Sequence, residues 1–225
     1  MALTFILAEA ALETVPKAIA NHPSVIARAR IEGKPPNQTL LDRTYHHSAM
    51  LGLPNAEKRG RPDIVHVTLL QTLSTPLNND GGLDSYIHTI DDVVIRVNKR
   101  IRLPRNYDRF VGLMEQLFLN GRVPLDGEPL LSLRKMSLNE LIQTIKPTVT
   151  VAFSSVGITT DLRDLCKDLT GERQPAVIVG GFAHGHFSKK TSQIVDKTVA
   201  ICDKPLDAWV VASRIIYEYE TELAG

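Results

Sequence analysis

Two loops, each following a short apolar run, carry the first suggestion of chemistry in this chain. Gly180-Gly181-Phe182-Ala183-His184-Gly185-His186 follows the run 176–179, and Cys202-Asp203-Lys204-Pro205-Leu206-Asp207 follows the run 198–201. Glycines let a backbone come close to a ligand. Ligands of open α/β sheets gather at the carboxyl ends of strands, where loops meet helix starts. The two loops therefore predict a small-molecule site between them. A second group is Arg61-Pro62-Asp63. Proline suits the first position of a helix, and an acid in the first turn suits the helix dipole. This spacing lets Asp63 reach back to the Arg61 guanidinium and hold it as a reader of phosphate or of a base edge. A third group is Lys99, Arg100, Arg102, Arg105 and Arg109, with Tyr107 and Phe110 interleaved. Clustered cations with aromatic rings between them form an RNA-type patch.

Other chemistries are disfavoured by what the motifs lack. The glycine loop does not have the G-x-G-x-x-G order of a dinucleotide turn, and no G-x-x-x-x-G-K-[ST] phosphate loop occurs. His184 and His186 have no cysteine or carboxylate at ligand spacing, so no metal site is expected. His46-His47 has no serine or cysteine nucleophile motif beside it, which favours packing over catalysis.

The elements that must position these groups alternate. A strand is predicted at 4–8, then helix over 10–31 interrupted at His22-Pro23, because a residue before proline avoids the helical region. A short strand is predicted at 40–42 and a helix from Pro62. Asn78-Asn79-Asp80-Gly81-Gly82 marks a turn. The runs 85–90 and 93–97 read as a hairpin turning at Asp91-Asp92 and inserted on the core sheet. An amphipathic helix is predicted over 107–119, with Arg105 and Arg109 sharing a face if the helix has begun by then. A strand follows at 130–134. Ser137-Leu138-Asn139-Glu140 is a capping box opening a helix to Lys146. A strand over 148–153 ends in the loop Ser155–Gly157, and a helix over 161–169 closes at Gly171. The last helix, 208–219, has an apolar side broad enough to predict that part of it meets a second copy of the chain. This order is α/β in character, with a parallel sheet whose loops gather at one edge.

Composition is consistent with a single soluble domain spanning 1–225. The chain has 225 residues, 43% of them hydrophobic, 23% charged, with a net charge of +1. That charge announces no global attraction to nucleic acid, although a local patch suffices for RNA. Two cysteines, Cys166 and Cys202, suit a reducing cytoplasm. The apolar start TFILAEAAL is short and has Glu9 and Glu13 close by, so neither a signal peptide nor a membrane span is expected.

The glycine loop VGGFAHG and the segment CDKPLDAWVVASRIIYEYE resemble the SPOUT-class RNA methyltransferases. Together with LLDRTYHHSAM at 40–50, KRGRPDIVHVTLL at 58–70, the stretch 86–117 and IKPTVTVAFSS at 145–155, they resemble more closely the archaeal branch of the pseudouridine N1-specific methyltransferases of small-subunit ribosome biogenesis. The resemblance covers nearly the whole chain. It implies a SPOUT-type parallel sheet with a C-terminal deep trefoil knot, a homodimer, and 78–105 as a family-specific hairpin insertion. It implies an S-adenosyl-L-methionine site formed by Val156, Gly180, Gly185, Ile201, Cys202, Asp203, Lys204, Pro205 and Leu206. Main-chain groups of Ile201, Cys202 and Leu206 would meet the adenine edge. It implies that Arg102, Arg105 and Arg109 bind small-subunit ribosomal RNA together with Arg61, and that Arg61, oriented by Asp63, steadies the reacting base. Asp63 as a direct base is the weaker expectation, because an ion-paired carboxylate accepts protons poorly. Other ribosome assembly factors are possible partners. The alternative is a non-catalytic RNA-binding assembly factor, which would keep the arginine patch and bind no cofactor.

Overall fold

Eight strands form one mixed sheet in the order β4-β5-β3-β2-β1-β7-β6-β8, in a computed structural model that describes residues 2–224 and leaves Met1 and Gly225 outside the description. The centre is β1 (Leu3–Ala10), buried along its whole length. It pairs in parallel with β2 (Leu83–Thr89) on one side and β7 (Pro175–Gly180) on the other. β6 (Val149–Thr159) and β8 (Lys197–Ala200) continue the parallel half. The other half is antiparallel, through β3 (Val93–Val97), β5 (Leu131–Lys135) and the short β4 (Arg122–Val123). The expected parallel sheet is therefore only half of the whole. The first arm of the predicted hairpin, β2, is an integral neighbour of β1, and the second arm turns the sheet antiparallel. A tight turn reverses the chain at once, whereas parallel pairing demands a long crossover.

Both faces of the parallel half are covered, which explains its continuous apolar runs. One face packs Leu3, Phe5 and Leu7 of β1 against α3 (Pro62–Leu73), α5 (Tyr107–Asn120), α7 (Leu162–Gly171) and α9 (Ala208–Ala224). The opposite face packs Ile6 and Ala8 against α6 (Leu138–Ile145) and the Phe187–Ile194 segment. A satellite cluster around Val15, Leu41 and Met50 joins α1 (Pro23–Glu32) and α2 (Arg43–Met50) to the body.

Residues 11–22 do not form the expected α-helix; their helical content is one 3-10 turn at Lys17–Ile19. They run over the surface of the core in extended and turn conformations, held by Val15 N–H to Thr39 C=O at 2.9 Å and Leu41 N–H to Glu13 C=O at 2.9 Å. The helix begins only at Pro23, where His22 Nδ1 accepts from Ser24 N–H and proline occupies the first turn. The strand expected at 40–42 reduces to a single antiparallel bridge between Thr14 and Leu40. Asp42 then caps α2 through Thr44 N–H at 2.8 Å. His46 is buried and accepts the Asp42 N–H at 3.0 Å, the packing role expected of the pair, whereas His47 is exposed.

The last helix is largely satisfied within its own chain. Ala212, Ile215, Ile216 and Tyr219 are fully buried, and the helix packs on α3 and α7. Tyr217 and Leu223 remain exposed. No described helix is long and apolar enough to cross a membrane, and both cysteines are free.

Candidate cofactor and RNA site

A break within β6 and the loops at the carboxyl ends of β7 and β8 meet around a cavity of about 310 Å³. That is the size range of small-molecule sites. Of the residues expected to hold a cofactor, Gly180, Gly185, Ile201, Cys202, Lys204, Pro205 and Leu206 line it. Val156 and Asp203 do not; Val156 is 66% exposed. The cause is a break in β6 register. Phe153 and Ile158 both pair with Val199, so 154–157 loop out of the ladder. Ser154 and Ser155 fall on the cavity wall, and Val156 turns away from it. Gly185 has φ of +93°, a conformation open to glycine and costly for other residues. A Cβ at Gly180 would lie 2.8 Å from the Phe182 ring. The loop thus presents bare backbone where a ligand would approach.

Sequence reasoning did not single out Phe182, Asp207 and Trp209, which also line the cavity. Phe182 lies inside the glycine loop, but a lone aromatic there carries no distinctive spacing. Gly181 pins this loop to β1: its N–H donates to Ala8 C=O at 2.8 Å, and its C=O accepts from Ala11 N–H at 2.9 Å.

Arg61 reaches the same cavity from a distant part of the chain. It is the residue before α3, and its N–H donates to Ala11 C=O at 3.2 Å. Its Nε and one terminal nitrogen donate to the two Asp63 oxygens at 2.8 and 2.7 Å. This fork-to-fork geometry is the arrangement the spacing predicted. The bond to Asp63, more than any other influence, raises the Arg61 pKa, and Asp42 and Asp207 add to it. Arg61 therefore stays cationic and has one orientation. Both side chains are about one-third exposed or more, so solvent and a substrate can reach them.

Two more cations, Lys58 and Arg59, stand just before Arg61 in the chain, and the structure takes both into ion pairs. Arg59 is buried and paired bidentately with Glu13, its Nε 2.8 Å from Oε1, and also with Asp91 at 3.2 Å. Lys58 is paired with Glu9 at 2.8 Å. Only Arg61 of this cluster faces the cavity. Burial pushes the Glu13 carboxyl up to about 7, with Arg59 pulling against it. A carboxyl whose folded pKa lies above its ordinary 4.5 stabilises the fold below that value and loses this contribution as pH rises through about 7. Arg59→Met removes the opposing pull. Denaturant titrations should show it about 3 kcal/mol less stable than wild type at pH 8, with a smaller deficit at pH 5.5, where the carboxyl protonates instead of remaining an unpaired buried charge. Equal deficits at the two pH values would overturn this account.

Arg102, Arg105 and Arg109 are all exposed and form no ion pair among the described residues. The expected shared helical face of Arg105 and Arg109 does not form. Asn106 caps α5 by accepting Arg109 N–H at 3.0 Å, so the helix starts at Tyr107 and Arg105 lies before it. Asparagine is a preferred cap because its side chain satisfies an orphan N–H. The patch is tied to α3: His66 Nε2 lies 2.7 Å from Pro104 C=O, and its ring stacks on Phe110 at 4.4 Å. Tyr107 O–H donates to Asp42 at 2.6 Å. Burial, then that bond, raises the Tyr107 pKa and keeps the phenol neutral. Among the described residues, no His, Cys, Asp and Glu group could hold a metal ion.

The model of the EMG1/NEP1 methyltransferases matches residues 5–220. The chain belongs to the EMG1/NEP1 methyltransferase family. It is 44% identical to the ribosomal RNA small subunit methyltransferase Nep1 of Thermococcus onnurineus (strain NA1) over 97% of this chain and 98% of that one. It is 42% identical to the protein of the same name from Pyrococcus furiosus over 98% and 97%. The crystal structure of Archaeoglobus fulgidus Nep1 bound to S-adenosylhomocysteine superposes with a TM-score of 0.89 at 36% identity, each chain covered completely. The EMG1/NEP1 match spans both the cavity loops and the arginine patch, so one family accounts for both.

Proposed function

We propose that this protein uses S-adenosylmethionine to methylate the N1 nitrogen of a pseudouridine in small-subunit ribosomal RNA. One observation carries the reading: Arg61, locked to Asp63, lines the same cavity as the break in β6 and the loops after β7 and β8. A cofactor held by those loops lies beside a cation suited to a nucleobase. Relatives named as small-subunit rRNA methyltransferases and a relative bound to S-adenosylhomocysteine support it.

The cavity fits the cofactor. Bare backbone at Gly180 and Gly185 allows close approach, Leu206 and Trp209 offer apolar surface, and main-chain groups at Ile201, Cys202 and Leu206 can meet an adenine edge. Once bound, the cofactor supplies an electrophilic methyl group. The protein's part is orientation and electrostatics. Pseudouridine is joined to its sugar through carbon and so presents an N1–H. Loss of that proton to solvent water leaves negative charge on the ring, and Arg61 stabilises it from a fixed position. Asp63 is a positioning residue for Arg61. The base must leave its stack to enter the cavity.

Arg102, Arg105 and Arg109 hold the RNA backbone. Alanine at any one of them should weaken RNA binding and lower the slope of log affinity against log salt by about 0.7 for each lost single-strand phosphate contact. An unchanged slope in all three variants would remove the patch from the interface. A SPOUT trefoil knot belongs to this reading. A homodimer through part of the last helix, where Tyr217 and Leu223 are exposed, ribosome assembly factors as partners and a cytoplasmic location complete it.

The test is methyl transfer to two RNA hairpins differing only in one nucleotide, pseudouridine or uridine. Methylation of the pseudouridine hairpin alone is expected. Equal transfer to both would overturn the N1 assignment.

A further inference from the structure

We infer that Lys58 is a positioning residue for the cofactor loop, strapping 182–188 to the carboxyl end of β1 through the buried carboxylate of Glu9. The inference rests on the cofactor reading of the cavity.

Glu9 is an unusual residue in an unusual place. It lies in the most buried strand and is itself 6% exposed. Its φ is +49°, the left-handed region that non-glycine residues rarely adopt. The β1–β2 register shifts between Leu7 and Ala10, so the strand kinks at this residue. Backbone strain of this kind persists where surrounding contacts hold it. Here the contacts are explicit. One Glu9 oxygen accepts Ser188 N–H at 2.8 Å and Thr191 O–H at 2.7 Å, and the other accepts Lys58 Nζ at 2.8 Å. Burial works to raise the carboxyl, but these hydrogen bonds together hold it below its usual range. It is an anion with its partners built in.

Lys58 continues the connection into the cavity wall. Its ammonium also donates to the His186 carbonyl and lies 4.3 Å from the centroid of the Phe182 ring. Phe182 and His186 both line the cavity. The loop is therefore tied at three places: Gly181 by β1 backbone, Ser188 by Glu9, and the span between them by Lys58. Three fixed points leave a short, glycine-containing loop little freedom, so less ordering remains to be done when a ligand binds. Lys58 also precedes Arg59 and Arg61, both anchored to 11–13 of the same strand extension. The cofactor loop and the arginine that meets the base thus share one anchor.

The experiment is calorimetric titration of S-adenosylhomocysteine into wild type, Lys58→Met, the double variant Glu9→Gln with Lys58→Met, and Gly180→Arg, each with a thermal melt without ligand. Lys58→Met should bind about tenfold more weakly, about 1.4 kcal/mol. That variant leaves Glu9 as an unpaired buried charge and is expected to melt lower. The double variant removes both charges, and the introduced glutamine amide keeps an oxygen for Ser188 and Thr191. It should regain thermal stability and still bind about tenfold more weakly, because the strap is absent in both variants. Affinity restored along with stability in the double variant would show a role in folding only and overturn the inference. So would Lys58→Met affinity equal to wild type. Unimpaired binding by Gly180→Arg would instead overturn the placement of the cofactor in this cavity, a failure distinguishable from the first two.

Discussion

Arg61→Ala should lower kcat/KM for RNA methylation by about 100- to 1000-fold, the scale seen when one preorganised donor to a developing anion is removed. Cofactor affinity should stay within about threefold of wild type, because the loss falls on the charge that develops in the base. Arg61 is held by two bonds of 2.8 and 2.7 Å to Asp63, so its charge is in place before reaction and needs no reorganisation. Lysine should restore little, since a point charge on a flexible stem cannot keep a two-bond fork with the carboxylate. Asp63→Asn separates positioning from proton transfer. It leaves Arg61 charged but loosens its fork, so a loss of about tenfold is expected. A direct base role would make it as damaging as Arg61→Ala. Full turnover by Arg61→Ala on a pseudouridine hairpin would exclude the arginine from the chemistry.

Gly180→Arg should weaken S-adenosylhomocysteine binding by at least about 100-fold, about 2.7 kcal/mol. Its Cβ alone would sit 2.8 Å from the Phe182 ring, so that ring must shift, and the long side chain then enters the space the cofactor needs. The contact is with the end of a side chain, not with backbone, and Gly180 does not need a positive φ. The fold should therefore survive, with a melting temperature close to wild type. RNA binding by Arg102, Arg105 and Arg109 should persist, because none of them lines the cavity. Gly180→Ala makes the same contact without the long chain, and only a severalfold loss is expected. Similar losses for the two variants would point to loop distortion and away from occlusion of the site.

Much of the local architecture was legible because its causes are local. Ser137 and Glu140 form the capping box that their spacing predicts. Pro62 opens a helix with Asp63 in its first turn. The hairpin turns at Asp92, with φ of +54°. The helix over 107–119 needed only one more residue. The misreadings have local reasons too. Residues 11–22 are apolar enough for a helix, yet the backbone of 13–15 is paired to Thr39, Leu40 and Leu41 across the chain, and tertiary pairing overrides propensity. The strand 148–153 runs on to Thr159 through a four-residue break in register, which no alternation of residue types announces.

The amino-acid sequence by itself determined the loops that could approach a ligand, the Arg61–Asp63 pair and the exposed arginines at 102, 105 and 109, because residue type and near-neighbour spacing suffice for each. Tertiary structure alone decided which cations were available. Lys58 and Arg59 look like Arg61 in sequence, but Glu9 and Glu13, 49 and 46 residues away, take them out of the surface. It also decided that Arg61 and the loops at 180 and 202 share one cavity. Parallel pairing of β1 with β7, of β7 with β6 and of β6 with β8 brings these distant segments to a single sheet edge. Contacts between residues so far apart in the chain leave no periodicity to read, since they are set by how layers pack and where backbone hydrogen bonds can be satisfied.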